Sequence, residues 1–133
     1  MSEKRKLKTA IVDDNKEFRA ALRLVFELFD EIEVISEYDN GQAFLESLNT
    51  QIPNLVFMDI EMPEMNGIEA TKRAIHKNPN LKIVALSFHN QFEYIQQMLF
   101  AGATNYVIKD ELDHHKIQTI INSIINLKLT IKN

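Results

Sequence analysis

The chain has 133 residues, of which 45% are hydrophobic, and this size and composition fit one globular domain with a single core. Its formal net charge of −4 argues against a nucleic-acid-binding surface on the chain itself, and the absence of cysteine excludes disulfides and thiolate metal sites. No signal-peptide segment follows the basic N-terminal residues, and no apolar run approaches the roughly 20 residues that cross a bilayer. We therefore expect a cytoplasmic single-domain protein without a membrane partner.

Five short apolar runs predict β-strands. Three of them, around Val12, Phe57 and Val84, are nearly continuous and rich in β-branched residues, which is typical of strands buried on both faces of a parallel sheet. In chain order, the predicted strands span residues 9–12, 33–38, 55–58, 82–87 and 105–109.

A segment with helical spacing follows each predicted strand. Apolar residues recur there at intervals of three and four, which predicts helices that each bury one face. The alternation of strand and helix, repeated five times, predicts an α/β domain with a parallel sheet. The predicted buried faces are Phe18, Leu22, Val25, Phe26 and Phe29; Phe44, Leu45 and Leu48; Ile68, Thr71, Ala74 and Ile75; Ile95, Met98 and Leu99; and Ile117, Ile120, Ile121, Ile124 and Ile125.

Charged and polar side chains stand where the predicted strands end. Asp13 and Asp14 follow the first strand and Asp59 follows the third. Ser87 ends the fourth strand and Lys109 ends the fifth. The carboxyl ends of parallel strands share one edge of an open α/β sheet, and this edge is where such sheets place their ligand sites. We therefore expect three carboxylates, one hydroxyl and one ammonium to converge there.

These residue types suit magnesium-dependent phosphoryl chemistry. Carboxylate oxygens are hard ligands for Mg²⁺, and a carboxylate can attack phosphorus to form an aspartyl phosphate. Lys109 and the metal would neutralise the charge of the transferred group, and Ser87 would donate a hydrogen bond to it. The sequence has no glycine-rich phosphate-binding loop, so a bound nucleotide is not expected to supply the phosphate.

Four segments, IVDDN, VFMDIEMPEMNGIEA, VALS and AGATNYVIKD, closely resemble the receiver domain of bacterial two-component response regulators, the CheY-like superfamily. The resemblance covers essentially the whole chain, so residues 1–133 are predicted to form one receiver domain. It implies a doubly wound (βα)5 fold of the flavodoxin-like kind, with five parallel strands in the order 2-1-3-4-5 and helices on both faces. It also implies a phosphorylation-controlled binding module in two-component signal transduction, rather than an enzyme.

By this resemblance, Asp59 is the phosphoacceptor, and a sensor histidine kinase is the partner that supplies the phosphoryl group from a phosphohistidine. Asp13, Asp14 and Asp59 are the implied Mg²⁺ ligands, together with the main-chain carbonyl of Glu61. Lys109 is implied to pair with the acceptor carboxylate or with its phosphate. The domain is then expected to assist both the transfer to Asp59 and the hydrolysis from it.

The resemblance also assigns switch and modulating positions. Ser87 is expected to move toward the phosphoryl group while the ring of Tyr106 turns inward. This change would shift the surface formed by the fourth helix, the fifth strand and the fifth helix. Glu61, Phe88 and His89 are implied modulating positions, because the bulk of Phe88 and His89 could narrow access to the phosphoryl group.

Lys109 is followed by Asp110, where most of the family has a proline in a cis bond. A cis bond before a residue other than proline costs about 2.5–4 kcal/mol, so the sequence leaves open a trans bond or a strained cis bond. Lysine followed by an acid resembles the LuxR/NarL-type subclass, which carries a C-terminal helix-turn-helix. This resemblance implies that DNA is bound only through an absent effector domain, and that phosphorylation can drive homodimerisation. Residues 127–133 would either prolong the last helix or begin a linker.

Other interpretations stay open. Asp13 and Asp14 could simply cap the first helix, and Tyr106 could be an ordinary edge-strand aromatic residue. A magnesium-dependent phosphatase with an aspartyl nucleophile would use a similar sheet, although that class places its two aspartates two positions apart on the first strand. A receiver-like adaptor that binds partners without phosphorylation is the third hypothesis, and it is motivated by Phe88 and Asp110.

Overall fold

The structure, a computed structural model, describes residues 6–88 and 92–132, with side chains described as far as Ile125. Strands and helices alternate along the chain, as the apolar pattern predicted. In chain order the elements are β1 (Leu7–Val12), α1 (Lys16–Phe26), β2 (Ile32–Tyr38), α2 (Gly41–Ser47), β3 (Leu55–Asp59), α3 (Gly67–Lys77), β4 (Lys82–Ser87), α4 (Phe92–Ala101), β5 (Asn105–Ile108), a 3₁₀ turn (Lys109–Glu111) and α5 (His114–Lys132).

The five strands form one parallel sheet in the order β2-β1-β3-β4-β5, which confirms the doubly wound topology. Every residue of β3 is buried, and so is every residue of β4 except Lys82. These strands can be buried on both faces because their sequences are almost continuously apolar. The strand order reverses between β1 and β3, so the carboxyl ends of these two neighbouring strands lie side by side at the topological switch point.

Helices cover both faces of the sheet. On one face, Leu22 of α1 and Ile117 of α5 belong to the same hydrophobic cluster as Phe57 of β3. On the other face, Phe44 of α2 belongs to a second cluster, which includes side chains of α3 and Met58, the next residue of β3. Successive strand residues point to opposite faces, so the two clusters lie on either side of the sheet.

Helix α4 is anchored by a smaller cluster. Met98, the buried residue of this helix, packs with Ile60, Ala85 and Ala103. Leu99 was predicted to share this buried face, but its side chain is 49% exposed, so that prediction is wrong. Adjacent helical residues point about 100° apart, and the inward direction of Met98 turns Leu99 toward solvent.

Two predicted boundaries are also wrong. Helix α1 ends at Phe26, so Phe29, although buried, lies in the following turn rather than on the helical face. There its carbonyl accepts a hydrogen bond from the backbone N–H of Ile32 at 3.3 Å, which directs the chain into β2. Strand β5 ends at Ile108, because Lys109 already belongs to the 3₁₀ turn.

Asparagine side chains begin three of the helices. Asn15, Asn40 and Asn66 precede α1, α2 and α3, and each side-chain oxygen accepts a hydrogen bond from a backbone N–H three residues later, at 2.9, 2.8 and 3.0 Å. Because Asn15 caps α1, the interpretation of Asp13 and Asp14 as the helix cap is wrong. The cap leaves both carboxylates available to the site.

The backbone of residues 127–132 continues helix α5, which is one of the two outcomes that the sequence left open for this segment. In the described part of the chain, no helix is at once long and apolar enough to span a bilayer. The described peptide bonds contain no cis bond, so Lys109 and Asp110 are joined in trans.

Candidate functional site

Three carboxylates meet at the carboxyl edge of β1 and β3, as predicted. Asp13, Asp14 and Asp59 each offer an oxygen atom, and these atoms all lie within 4.8 Å of one another. Asp13 is completely buried and Asp59 is 4% exposed, whereas Asp14 is open to solvent. Like charges at this spacing repel one another strongly in a buried setting, so the cluster requires positive charge close by.

Lys109 supplies one such charge. Its ammonium Nζ lies 2.7 Å from Asp13 Oδ2 and 3.3 Å from Asp59 Oδ1, and 5% of its side chain is exposed. The 3₁₀ turn after β5 starts at this residue, which directs the side chain toward β1 and β3. The structure therefore brings Lys109 to the carboxylates as predicted, although from a turn and not from the strand.

The pKa of the Asp59 carboxyl is raised from 3.8 to about 7. Burial is the main cause because it disfavours the charged form, and the Asp13 carboxylate adds repulsion. The Lys109 ammonium lowers the pKa through its charge and its hydrogen bond, but it does not offset the burial. A further cation beside Asp59 would thus shift the carboxyl toward its ionised, nucleophilic form.

The donor set suits a hard divalent cation. Asp13 Oδ2 is buried and makes no hydrogen bond to the described residues, and its close contact with Lys109 is an ion pair without hydrogen-bond geometry. The Lys109 ammonium compensates part of its charge, and no hydrogen-bond donor among the described residues would have to be displaced by a metal ion. With Asp14 and Asp59 beside it, the site offers the carboxylate oxygens that Mg²⁺ prefers.

Two contacts hold the backbone that carries Asp13. Its Oδ1 accepts a hydrogen bond from the backbone N–H of Asn15 at 2.8 Å. Its main-chain carbonyl accepts a hydrogen bond from Arg19 Nη1 at 2.5 Å, and Arg19 Nε is paired with Glu37 Oε1 at 3.3 Å. Sequence reasoning missed Arg19, because a single arginine on the first helix carries no signal of a contact with the strand that precedes it.

Ser87 and Tyr106 lie next to each other on β4 and β5. Ser87 is 1% exposed, and Tyr106 is partly buried opposite Ala85. Burial raises the pKa of the Tyr106 hydroxyl, a hydrogen bond with the Ser87 side chain lowers it, and the charge of Glu61 raises it. These effects place the Tyr106 hydroxyl close to the side chain of Ser87.

Two aromatic rings border Lys109. The ring centroid of Phe18 lies 4.3 Å from Nζ, and the ring centroid of Phe88 lies 5.1 Å from it. Phe88 is 58% exposed, so its ring contacts Lys109 from the solvent side, and its modulating role stays a prediction. The apolar spacing of α1 identified Phe18 only as a core residue and gave no sign of its contact with Lys109. His89 lies outside the described residues.

Gly67 brings the loop after β3 back against Asp59. A Cβ atom built on Gly67 would lie 2.1 Å from the Asp59 carbonyl oxygen, so no side chain fits there. The backbone N–H of Gly67 donates a hydrogen bond to the carbonyl of Ile60 at 2.7 Å. This close approach fixes the start of α3 beside the candidate acceptor.

Comparison with known families decides what kind of domain carries this site. Residues 9–125 match the family described as the response regulator receiver domain. The chain belongs to this family. Receiver domains accept phosphoryl groups in two-component signalling, so the convergence of three aspartates, a lysine and a serine at the sheet edge agrees with the family assignment.

Curated relatives of the receiver domain are transcriptional regulators by name. The transcriptional regulatory protein DegU of Brevibacillus brevis is 32% identical over 105 residues, which cover 79% of this chain and 44% of that protein. The transcriptional regulatory protein YhcZ of Bacillus subtilis is 37% identical over 113 residues, which cover 85% of this chain and 53% of that protein. The receiver domain thus spans about half the length of these relatives.

Solved structures confirm the CheY-like fold of the receiver domain. A LuxR-family response regulator from Aurantimonas sp. SI85-9A1 has a TM-score of 0.84 at 24% identity and covers 91% of this chain and 86% of that chain. A LuxR-family DNA-binding response regulator from Staphylococcus aureus has a TM-score of 0.78 at 26% identity. The match covers 89% of this chain and 98% of that chain. The Staphylococcus aureus protein is described as LuxR family, the subclass that this chain resembles at Lys109 and Asp110.

Proposed function

We propose that this receiver domain is phosphorylated on Asp59 by a sensor histidine kinase. The observation that carries the proposal is the position of the Asp59 carboxylate, which is buried beside Asp13 and 3.3 Å from the Lys109 ammonium. A carboxylate in this setting can act as a nucleophile, and the Lys109 ammonium compensates its charge on one side. The exposed Asp14 lies on the side that is open to solvent. The domain is a phosphoacceptor and not an enzyme with a separate substrate.

In the proposed transfer, one oxygen of the Asp59 carboxylate attacks the phosphorus of a phosphohistidine on the kinase. The new O–P bond forms as the N–P bond breaks, and the electron pair of the broken bond returns to the imidazole nitrogen. Lys109 then pairs with a phosphoryl oxygen and stabilises its negative charge. Asp13, Asp14, Asp59 and the main-chain carbonyl of Glu61 would hold Mg²⁺, which would supply further positive charge for the phosphoryl group.

The hydroxyl of Ser87 is the proposed link between this chemistry and the switch. It shares a hydrogen bond with Tyr106, and it lies at the end of β4 beside the acceptor strand. The Ser87 hydroxyl has one proton, so donating it to a phosphoryl oxygen would prevent its donation to Tyr106. The ring of Tyr106 then repacks against α4, which alters the surface formed by α4, β5 and α5.

Hydrolysis of the aspartyl phosphate returns the domain to its starting state. A water oxygen attacks phosphorus, the O–P bond to Asp59 breaks, and inorganic phosphate leaves. Glu61, Phe88 and His89 are the proposed modulating residues for this step. Phe88 supports this role by its contact with Lys109 from the solvent side.

The output is proposed to be transcription control through an effector domain that follows the receiver domain. Support comes from the names of the relatives, which are transcriptional regulatory proteins about twice as long as the matched region. DNA would be bound only by the effector domain, and phosphorylation would favour a homodimer. The setting proposed for this signalling is the cytoplasm.

Intact-mass measurement after treatment with acetyl phosphate and Mg²⁺ tests the proposal. The wild-type chain should gain the mass of one phosphoryl group, and Asp59→Asn should gain none. Asp30→Asn, which changes an exposed aspartate in the turn before β2, is the matched control and should be modified like the wild type. Equal modification of the wild type and Asp59→Asn would contradict the proposal. Size measurement on the same samples reports dimerisation.

A further inference from the structure

The ammonium of Lys109 is surrounded by two carboxylates and two aromatic rings. Asp13 and Asp59 provide the ion pairs, and the rings of Phe18 and Phe88 lie 4.3 and 5.1 Å from Nζ. Both ring distances are within the roughly 6 Å over which a cation is attracted to an aromatic face. The attraction is stronger where water is excluded, and 5% of the lysine side chain is exposed.

We propose that Phe18 is a positioning residue for Lys109 in phosphoryl transfer. This inference rests on the proposed function of the site. A lysine side chain is long and flexible, so fixing it in one position costs rotamer entropy. The ring of Phe18 offsets part of that cost by holding the ammonium beside the carboxylates before a phosphoryl donor arrives.

The backbone of Phe18 is itself fixed, which makes it suitable for this role. Its N–H donates to the side-chain oxygen of the N-cap residue Asn15 at 2.9 Å. Asn15 in turn donates its own N–H to Asp13 Oδ1 at 2.8 Å. The carboxylate, the helix start and the ring therefore form one connected unit, so Phe18 keeps its place relative to Asp13.

A ring suits a cation that must change partners. During transfer, Lys109 exchanges its contact with Asp59 Oδ1 for a contact with a phosphoryl oxygen. Hydrogen bonds are directional and weaken steeply when their angles change, whereas the attraction between a cation and the face of a ring tolerates a small displacement. Phe18 can therefore hold the ammonium before and after the exchange, which a further polar partner would oppose.

The competing interpretation is that Phe18 only fills space. It is partly buried and packs against the cluster formed by α1, α5 and the sheet. Under that interpretation any apolar side chain of similar size would serve, and the aromatic character would be irrelevant. Leucine and tyrosine substitutions separate the two interpretations, because leucine preserves apolar contact without a ring and tyrosine preserves the ring.

The rate of modification by acetyl phosphate and Mg²⁺ provides the first test. Phe18→Leu should lower the limiting rate about 3- to 10-fold with little change in the half-saturating concentration of acetyl phosphate, and Phe18→Tyr should stay close to the wild type. Phe29→Leu is the matched control, since Phe29 is a buried phenylalanine of the same cluster. It should lower stability without lowering the rate. Equal rates for the Leu and Tyr variants, or an equal loss in Phe29→Leu, would overturn the inference.

A spectroscopic measurement tests the contact without requiring any phosphorylation. The ε-methylene protons of Lys109 should resonate upfield in the wild type and in Phe18→Tyr, because they lie near an aromatic face, and should shift downfield in Phe18→Leu. A wild-type chain with unshifted Lys109 protons would overturn the inference. If the wild type is not modified at Asp59, the proposed function fails. The spectrum still tests the contact between Phe18 and Lys109, because it requires no phosphorylation.

Discussion

Lys109 Nζ lies 2.7 Å from Asp13 Oδ2, closer than its 3.3 Å approach to Asp59 Oδ1. The lysine thus compensates the fully buried aspartate first and the candidate acceptor second. A divalent cation held by these carboxylates would repel the ammonium, because both carry positive charge. Metal occupancy and lysine position are therefore expected to change together.

The raised pKa of Asp59 predicts a pH-dependent stability in metal-free buffer. The folded chain favours the protonated carboxyl, so its stabilising contribution is complete below pH 3.8 and is lost as the pH rises to about 7. Asp59→Asn cannot ionise and lacks this loss. Its free energy of unfolding relative to the wild type should rise by about 1–3 kcal/mol between pH 5 and pH 8. Urea unfolding with EDTA measures the difference, and a constant difference would contradict the prediction.

Removal of Asp14 should separate metal binding from folding. Asp14 is exposed and repels two buried carboxylates. In EDTA, the free energy of unfolding of Asp14→Ala should therefore equal that of the wild type or exceed it by up to about 1 kcal/mol. Mg²⁺ should raise the melting temperature of the wild type much more than that of Asp14→Ala. Asp30→Ala is the control and should keep the wild-type response. Identical magnesium responses of Asp14→Ala and the wild type would exclude Asp14 as a ligand.

Gly67 and Gly41 provide a matched pair of glycine substitutions. A Cβ on Gly67 would lie 2.1 Å from the Asp59 carbonyl oxygen, which belongs to the backbone and cannot move freely. A Cβ on Gly41 would meet Ala70 Cβ at 3.1 Å and the flexible Met65 side chain at 3.2 Å. Gly67→Ala should therefore cost about 3 kcal/mol or more, and Gly41→Ala about 1 kcal/mol or less. Chemical denaturation checks both values, and similar costs would contradict the structure of this loop.

Arg19 and Arg23 both pair with Glu37, but only Arg19 also donates to the Asp13 carbonyl. The Arg19 side chain is 16% exposed and that of Arg23 is 48% exposed. Arg19→Gln should lower the free energy of unfolding by about 1–3 kcal/mol and slow the modification of Asp59, because it loosens the strand end. Arg23→Gln should cost less than about 1 kcal/mol and leave the rate unchanged. Equal effects of the two variants would show that the Asp13 contact is unimportant.

Much of this architecture could be predicted because its signals are local in sequence. Continuous apolar runs identified the buried strands, and the parallel topology then required Asp13, Asp59, Ser87 and Lys109 to meet at one edge. The errors at Phe29 and Leu99 have a common cause. Periodicity identifies apolar residues, but it does not show where a helix ends or how it is rotated, since tertiary packing decides both.

The remaining parts of the site depend on contacts between elements distant in sequence. The position of the Phe18 ring over Lys109 depends on how α1 sits against the turn after β5. The bond from Arg19 to the Asp13 carbonyl depends on the angle at which α1 leaves β1. No spacing rule encodes either relationship, so sequence reasoning found the charged groups but not the residues that hold them in place.

The small anchor of α4 has a consequence for how the molecule moves. Met98 packs with Ile60, which follows Asp59 in the chain, and with Ala85, which lies two residues before Ser87. Partly buried side chains of α3, α4 and β5 pack against the same cluster. The residues that pack with Met98 therefore lie in the same backbone segments that carry Asp59 and Ser87. A displacement at Asp59 can therefore reach α4 through direct side-chain packing, which makes this helix suited to report the state of the site.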